Sequence, residues 1–456
     1  MEKIHLPGFA VAVADKDGII YSKGFGLRSL DPPQPFTPDT ATYIASTTKV
    51  FVVMAIMQLA EEGKLDLDAP VKAYLPRFEL SDAELTKTIT IRDLLTHKYG
   101  LSSRPIVFAD AYTGQITDDL YYRELAKANI KGSWGYSNIH FTLLGRVIEA
   151  VTGQSWKDYL AELIFEPAGM GNTTAYASEL YGSENASTPL QRVDDEWQAA
   201  TIRKIDSTMH AAGGMGSSAE DLARWTQLHM NGGAIDGVRL LREESIDEIF
   251  TVHERPGSAF FLFDRPEMGL GWYIGRYEGE RMMHHFGGYV GAHAHCSFLA
   301  DHRIGVAVVA NSGGEGSILT HHIAADIYDV VLDRDSGRRL KLFARKTARA
   351  IDRYDEESAE GALPDGPPEL SLQLNSYTGT YADPKWGTLV IEINGDNLEG
   401  HLGNLPFSIH PNEKDRPILD SYMGSKELQF VIENGRVTEA QVLDFWGETM
   451  RFVREE

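Results

Sequence analysis

Ala45-Ser46-Thr47-Thr48-Lys49 opens the apolar run Val50-Phe51-Val52-Val53-Met54-Ala55-Ile56-Met57, and the reading of the whole chain turns on this stretch. A serine followed three residues later by a lysine, where a helix begins, places hydroxyl and amine on one face about one turn apart. That is a nucleophile beside a candidate base. The helix N-terminus also points unpaired backbone N–H groups toward the serine, where negative charge develops as it attacks a carbonyl.

At 456 residues the chain is long for a single core, so more than one structural unit is expected. Hydrophobic content of 43% and charged content of 24% are those of an ordinary globular protein. The formal net charge of -23 argues against a nucleic-acid partner or an anionic membrane surface. Cys296 is the single cysteine, which excludes an intrachain disulfide and any thiolate-rich metal site. The longest apolar run, 50–59, is too short to span a bilayer and is broken by Gln58, so no membrane segment is expected. Met1-Glu2-Lys3-Ile4-His5 has no basic-then-apolar signal, which implies a cytoplasmic protein if this N-terminus is native and an exported one if a leader has been removed. Oligomeric state leaves no mark in the sequence.

Phe9, Val11 and Val13 alternate with alanines, Asp17-Gly18 supplies a turn and Ile19-Ile20-Tyr21 resumes, which predicts a β-hairpin. From Met54 to about Gly233 the periodicity is mainly helical, at 90–96, 143–151, 156–164 and 219–230. Strand character returns at 269–274, 294–299 and 304–310, and a helix is expected over 318–332. Strands at both ends of a helical middle predict one sheet closed by distant parts of the chain, with a helical domain inserted and the nucleophile at the seam. A further helix is expected over 338–354, basic on its outer face, followed by a linker over 360–368. Beyond it, 388–393, 427–433 and 441–445, with Asn394-Gly395 and Asn434-Gly435 turns, read as a small all-β domain.

Downstream of Ser46 lie Tyr136-Ser137-Asn138 and His285-Phe286-Gly287-Gly288. The series echoes S-x-x-K, S-D-N and K-T-G, with Tyr-x-Asn second and His-x-Gly third. Through these motifs, with Asp93-Leu94-Leu95-Thr96-His97, Phe165-Glu166-Pro167-Ala168-Gly169-Met170 and Ala212-Gly213-Gly214-Met215, the chain resembles serine β-lactamase-like hydrolases of the class C branch from Pro7 to about Asp333. That branch includes DD-carboxypeptidases, D-aminopeptidases and family VIII esterases. The resemblance implies an α/β fold: an antiparallel sheet flanked by helices with an inserted all-helical domain (about 60–240) within 1–335, a helix and linker at 336–369, and a lipocalin-like barrel at 370–456.

A serine hydroxyl needs a neighbour to take its proton. Lys49 can do so if desolvation lowers its pKa, and Tyr136 can do so as a phenolate beside a cation; the sequence leaves both open. Asn138 is suited to bind Lys49 and the substrate's acyl-side amide. The oxyanion hole would be the backbone N–H of Ser46 and that of Gly288, beside Gly287, where lack of a side chain permits close approach. The resemblance gives His285 contact with a substrate carboxylate or a share in moving a proton between Tyr136 and the leaving group. His284, His285, His293 and His295 suggest metal spacing, but no carboxylate sits at a matching offset, and the chemistry calls for no metal or cofactor. His401-Leu402-Gly403 repeats His-x-Gly in the tail but lacks the following glycines. Tyr99 departs from the family's usual Thr-Ser-Gly after Thr96-His97.

The expectation is a hydrolase forming an acyl-enzyme on Ser46 with a small-molecule or peptide substrate, foremost a peptidase or amidase of the DD-peptidase or D-aminopeptidase type. A family VIII carboxylesterase is the near alternative. A β-lactamase comes third, because Lys-Thr-Gly is absent. From another class stands a penicillin-binding sensor module in which the acyl-enzyme persists. A chain ending near Gly361 is expected to stay folded without the tail.

Overall fold

The computed structural model describes residues 6–193, 196–335, 363–364 and 366–455. Two compact units emerge, Met1–Ser103 with Leu125–Arg353, and Arg104–Glu124 with Tyr354–Glu456.

The larger unit is built on nine antiparallel strands, β1 (Gly8–Ala14), β2 (Ile19–Leu30), β3 (Pro33–Pro35), β4 (Ser258–Phe260), β5 (Phe263–Met268), β6 (Tyr273–Tyr277), β7 (Glu280–Tyr289), β8 (Ala292–Leu299) and β9 (Ile304–Ala310). Their order is β4-β5-β6-β7-β8-β9-β1-β2-β3, so β1 closes against β9 from the far end of the chain, with Val11 opposite Val308. The expected antiparallel sheet, sealed by distant segments, is what forms. Alternation within β1 and β9 puts Val11, Val13, Val306 and Val308 on the face that packs against helix Gly314–Val331, through Ala324, Ala325 and Tyr328. The opposite face admits helix Ala219–Met230 so closely that a Cβ on Gly305 would lie 2.0 Å from Thr226 Oγ1.

Between β3 and β4 come the mainly helical residues, including α1 (Thr48–Glu61), α2 (Ile91–Leu95) and α3 (Asn138–Thr152). Val50 to Met57 are all buried, which is why α1 is apolar on every side and not on a single stripe. Thr90 and Asp93 make the reciprocal capping bonds that start α2. One expected strand is shifted. Residues 269–272 lie outside the sheet because Leu270 and Gly271 give their N–H groups to Ile249 and Leu95, and Gly271 takes φ +67°; β6 begins only at Tyr273.

In the second unit eight strands, from Gly379–Asp383 to Glu448–Arg454, close into an antiparallel barrel that fits a lipocalin-like domain. Leu389, Ile391, Phe407, Leu428, Phe430, Met450 and Phe452 are among its buried side chains. The division is not collinear with the sequence, because Arg104–Glu124 belongs here. Phe108 packs its ring 5.1 Å from Phe445 and 6.0 Å from Trp386. Gln115 accepts from the Thr388 N–H (2.6 Å) and donates to its carbonyl (3.0 Å). A chain ending near Gly361 would strip that segment of these partners, so the expectation that it folds alone does not follow from this structure. The basic helix expected over 338–354 and most of the linker lie outside the described residues.

Candidate active site

Ser46 lies in the tight turn Ala45–Thr47 that leads into α1. Ala45 holds φ +44°, a conformation costly for a residue with a side chain, and Ser46 is half-buried while its neighbours are sealed. One turn along, Lys49 is fully buried. Its Nζ lies 3.1 Å from Ser46 Oγ and donates to Asn138 Oδ1 (2.9 Å) and to the Ala212 carbonyl, and it lies 4.9 Å from the Tyr136 ring centre and 5.7 Å from that of Phe141. Those partners are neutral. Desolvation therefore dominates and carries the amine well below the usual lysine range.

Tyr136 precedes α3 by two residues and keeps 41% of its surface exposed. Desolvation is the first cause raising its phenol above the usual range, and the Tyr273 hydroxyl the second, against lowering by a hydrogen bond with Ser46 and by the Arg265 charge.

Beside this turn runs β7. A Cβ on Gly287 would lie 1.9 Å from the Ile44 carbonyl oxygen and 2.9 Å from the N–H nitrogens of Ser46 and Thr47, so only glycine lets the strand approach the nucleophile. Gly288, next along, is exposed. His285 is buried; its Nδ1 donates to the Phe286 carbonyl oxygen (2.9 Å), and its ring centre is 6.5 Å from that of Tyr136. Burial first, then the charges of Lys49 and Arg265, hold it well below the usual histidine range. It is a neutral imidazole with Nε2 unprotonated.

Ser46, Lys49 and Asn138 thus meet in direct contact, with Tyr136, His285, Gly287 and Gly288 around them. Two of the histidines with apparent metal spacing, His293 and His295, go elsewhere. His293 Nδ1 and Thr320 Oγ1 are 2.8 Å apart, His295 Nδ1 and His321 Nδ1 are 2.9 Å apart, and His295 Nε2 meets Ser297 Oγ at 2.6 Å. Among the described residues no group of three or more His, Cys, Asp or Glu is placed to hold a metal ion. Cys296 is sealed and its thiol pushed up by burial. His401 stands on a barrel strand in the other unit.

Two residues near the site escaped the motif reading. The Arg265 guanidinium, 9% exposed, lies 4.1 Å from the Tyr273 ring centre and 4.2 Å from that of Phe260. Among the described residues no carboxylate pairs with it, and burial lowers its pKa to about 10. Tyr273 in turn lies 5.8 Å from the His285 ring. No spacing rule links position 265 to 46; Arg265 meets Tyr273 only because β5 pairs with β6.

The Beta-lactamase family model matches residues 1–327. The chain belongs to the Beta-lactamase family. Within that family it is 28% identical to protein flp of Staphylococcus aureus over 246 residues, 51% of this chain and 47% of that protein, so it spans about half the length of that relative. It is 26% identical to Unguisins hydrolase ungD' of Aspergillus campestris over 410 residues, covering 86% of this chain and 75% of that one. The octameric penicillin-binding protein homologue from Pyrococcus abyssi shares the fold at TM-score 0.63 and 23% identity, with 98% of this chain and 96% of that chain covered. A D-stereospecific amidohydrolase from Streptomyces sp. shares it at TM-score 0.55 and 24% identity, over 69% of this chain and 93% of that one. As a Beta-lactamase family member of this kind, the protein is a serine hydrolase.

Proposed function

We propose that this hydrolase cleaves amide bonds through an acyl-enzyme on Ser46, as an amidase or peptidase of the DD-peptidase or D-aminopeptidase type. The observation that carries the reading is the sealed Lys49 amine 3.1 Å from Ser46 Oγ with neutral hydrogen-bond partners. An amine kept from charging by burial accepts the serine proton as Oγ attacks the carbonyl carbon. The resulting oxyanion takes the Ser46 and Gly288 N–H groups. Tyr136, still carrying its proton, gives it to the departing nitrogen and regains one from Lys49. A neutral His285 with an unprotonated Nε2, its ring centre 6.5 Å from that of Tyr136, fits proton transfer better than charge pairing with a carboxylate. Water then attacks the ester carbonyl and returns Ser46 by the same steps reversed.

The likeness to amidohydrolases supports this reading through the fold. A panel of D-alanyl amides and peptides, nitrophenyl esters and nitrocefin tests it, with the Ser46→Ala variant as control. Turnover of the amides, and fluorophosphonate adding mass at Ser46 alone, are the expected results. Labelling that survives in Ser46→Ala would refute the assignment. Ester turnover alone would make the protein a carboxylesterase, and an acyl adduct that never turns over would make it a sensor.

A further inference from the structure

His97 takes no part in the steps above, yet four hydrogen bonds at and beside it converge on the turn that carries Tyr136 and Asn138. Its backbone carbonyl accepts the Gly135 N–H (3.0 Å), and its Nδ1 accepts the Ser137 N–H (3.2 Å). The two residues flanking Tyr136 are therefore tied to one residue. The tie continues on either side: Ser137 Oγ donates to the Leu101 carbonyl (2.6 Å), and the Leu101 N–H donates to His140 Nε2 (3.4 Å). Between these bonds Gly100 and Gly135 touch backbone to backbone, where a Cβ on Gly100 would lie 2.8 Å from the Gly135 Cα.

The geometry is bought with strain. His97 is fully buried and holds φ +58°, and Tyr99 holds φ +63°; neither is glycine, and such residues cost of order 1 kcal/mol or more each. The left-handed turn at 97 lets carbonyl and imidazole reach the same loop. The ring also lies 4.7 Å from the Tyr136 ring centre and 5.2 Å from that of Phe141. A ring needed only as filling would require neither the Nδ1 bond nor the positive φ.

We propose that His97 is a positioning residue for catalysis: as the unprotonated acceptor of the Ser137 N–H, it fixes the Tyr136 hydroxyl and the Asn138 amide against Ser46 and Lys49. The proposal rests on the catalytic roles assigned above to Tyr136 and Asn138. With Nδ1 accepting, a neutral imidazole carries its proton on Nε2, which is sealed and has no hydrogen-bond partner among the described residues. Burial, the first cause holding this imidazole well below the usual range, keeps that form populated.

The test compares His97→Leu, which keeps bulk and removes the acceptor, with His97→Asn, whose side-chain oxygen accepts and whose backbone tolerates positive φ. His97→Leu should lower kcat about 100-fold, the scale of a misplacement near 1 Å, with KM nearly unchanged. His97→Asn should recover most of that loss. Hydrogen exchange followed by mass spectrometry on peptides spanning 133–141 supplies a reading from the unaltered enzyme: the Gly135 and Ser137 amides should be among the slowly exchanging ones. Fast exchange there, an unimpaired kcat in folded His97→Leu, or His97→Asn no better than His97→Leu would each overturn the proposal. If His97→Leu does not fold, the exchange data and the Asn variant decide. Failure of the Ser46 assignment is separate, since it appears as fluorophosphonate labelling in Ser46→Ala.

Discussion

Acidification should unfold the larger unit well before ordinary acid denaturation. Nine histidines there, at 97, 140, 210, 229, 284, 285, 293, 295 and 321, have pKa values held down by burial, to about 3 for His140 and His293 and about 4 for His229. The unfolded chain binds protons at these sites near pH 6.5, and the native state does not until lower pH, so stability falls as pH drops below that value. At pH 5.5 each histidine that stays neutral in the native state costs about 1.4 kcal/mol relative to neutral pH, and nine together about 13 kcal/mol. That equals the whole stability of a typical domain, about 5–15 kcal/mol. Tryptophan fluorescence during urea titration, at about pH 7.5 and again at about pH 5.5, measures the effect through the midpoint. The midpoint should collapse toward zero urea at the lower pH. A midpoint unchanged between the two would refute the reasoning, because it would mean that these imidazoles are charged in the native state or never exposed on unfolding.

The remaining expectations are shorter. Lys49→Arg puts a permanently charged guanidinium in a sealed slot and should cut kcat by at least about 100-fold; retained turnover in a steady-state assay would assign the base to Tyr136. Gly287→Ala forces a methyl group to 1.9 Å from the Ile44 carbonyl oxygen, so β7 must retreat, with a lower Tm and a fall of roughly 100-fold in kcat/KM; wild-type kinetics would show that the close approach is dispensable. A chain truncated near residue 361 should expose Phe108 and Gln115 and aggregate or bind a hydrophobic dye. A monodisperse, cooperatively melting product in size-exclusion and thermal assays would count against the shared packing.

Much of the site could be read in the sequence because its chemistry is carried by short motifs on a helix start, a helix entry and a strand. Ser46 and Lys49 meet through helical spacing alone, and Asn138, 89 positions beyond Lys49, is marked by its Tyr-x-Asn motif. The β1 hairpin followed from alternation, and the closure of the sheet from strand segments at both ends of a helical middle. What escaped has no local signature. The strained turn at His97 appears in the sequence only as the departure at Tyr99. Arg265 reaches Tyr273 through strand register, and 269–272 leave the sheet because distant carbonyls claim their N–H groups. Arg104–Glu124 looks like any amphipathic stretch, and nothing within it says that its partners lie some 270 residues downstream.

That last feature bears on how the molecule can be made. A ribosome releases Phe108 and Gln115 long before the strands that will hold them exist, so this segment must wait, uncovered, until the barrel strands downstream have been synthesised. A late-made part of the chain therefore completes an early one. A premature stop anywhere in the final strands would then leave a loose end in the middle of the sequence as well as at its terminus, offering chaperones and proteases a second place to judge the product unfinished.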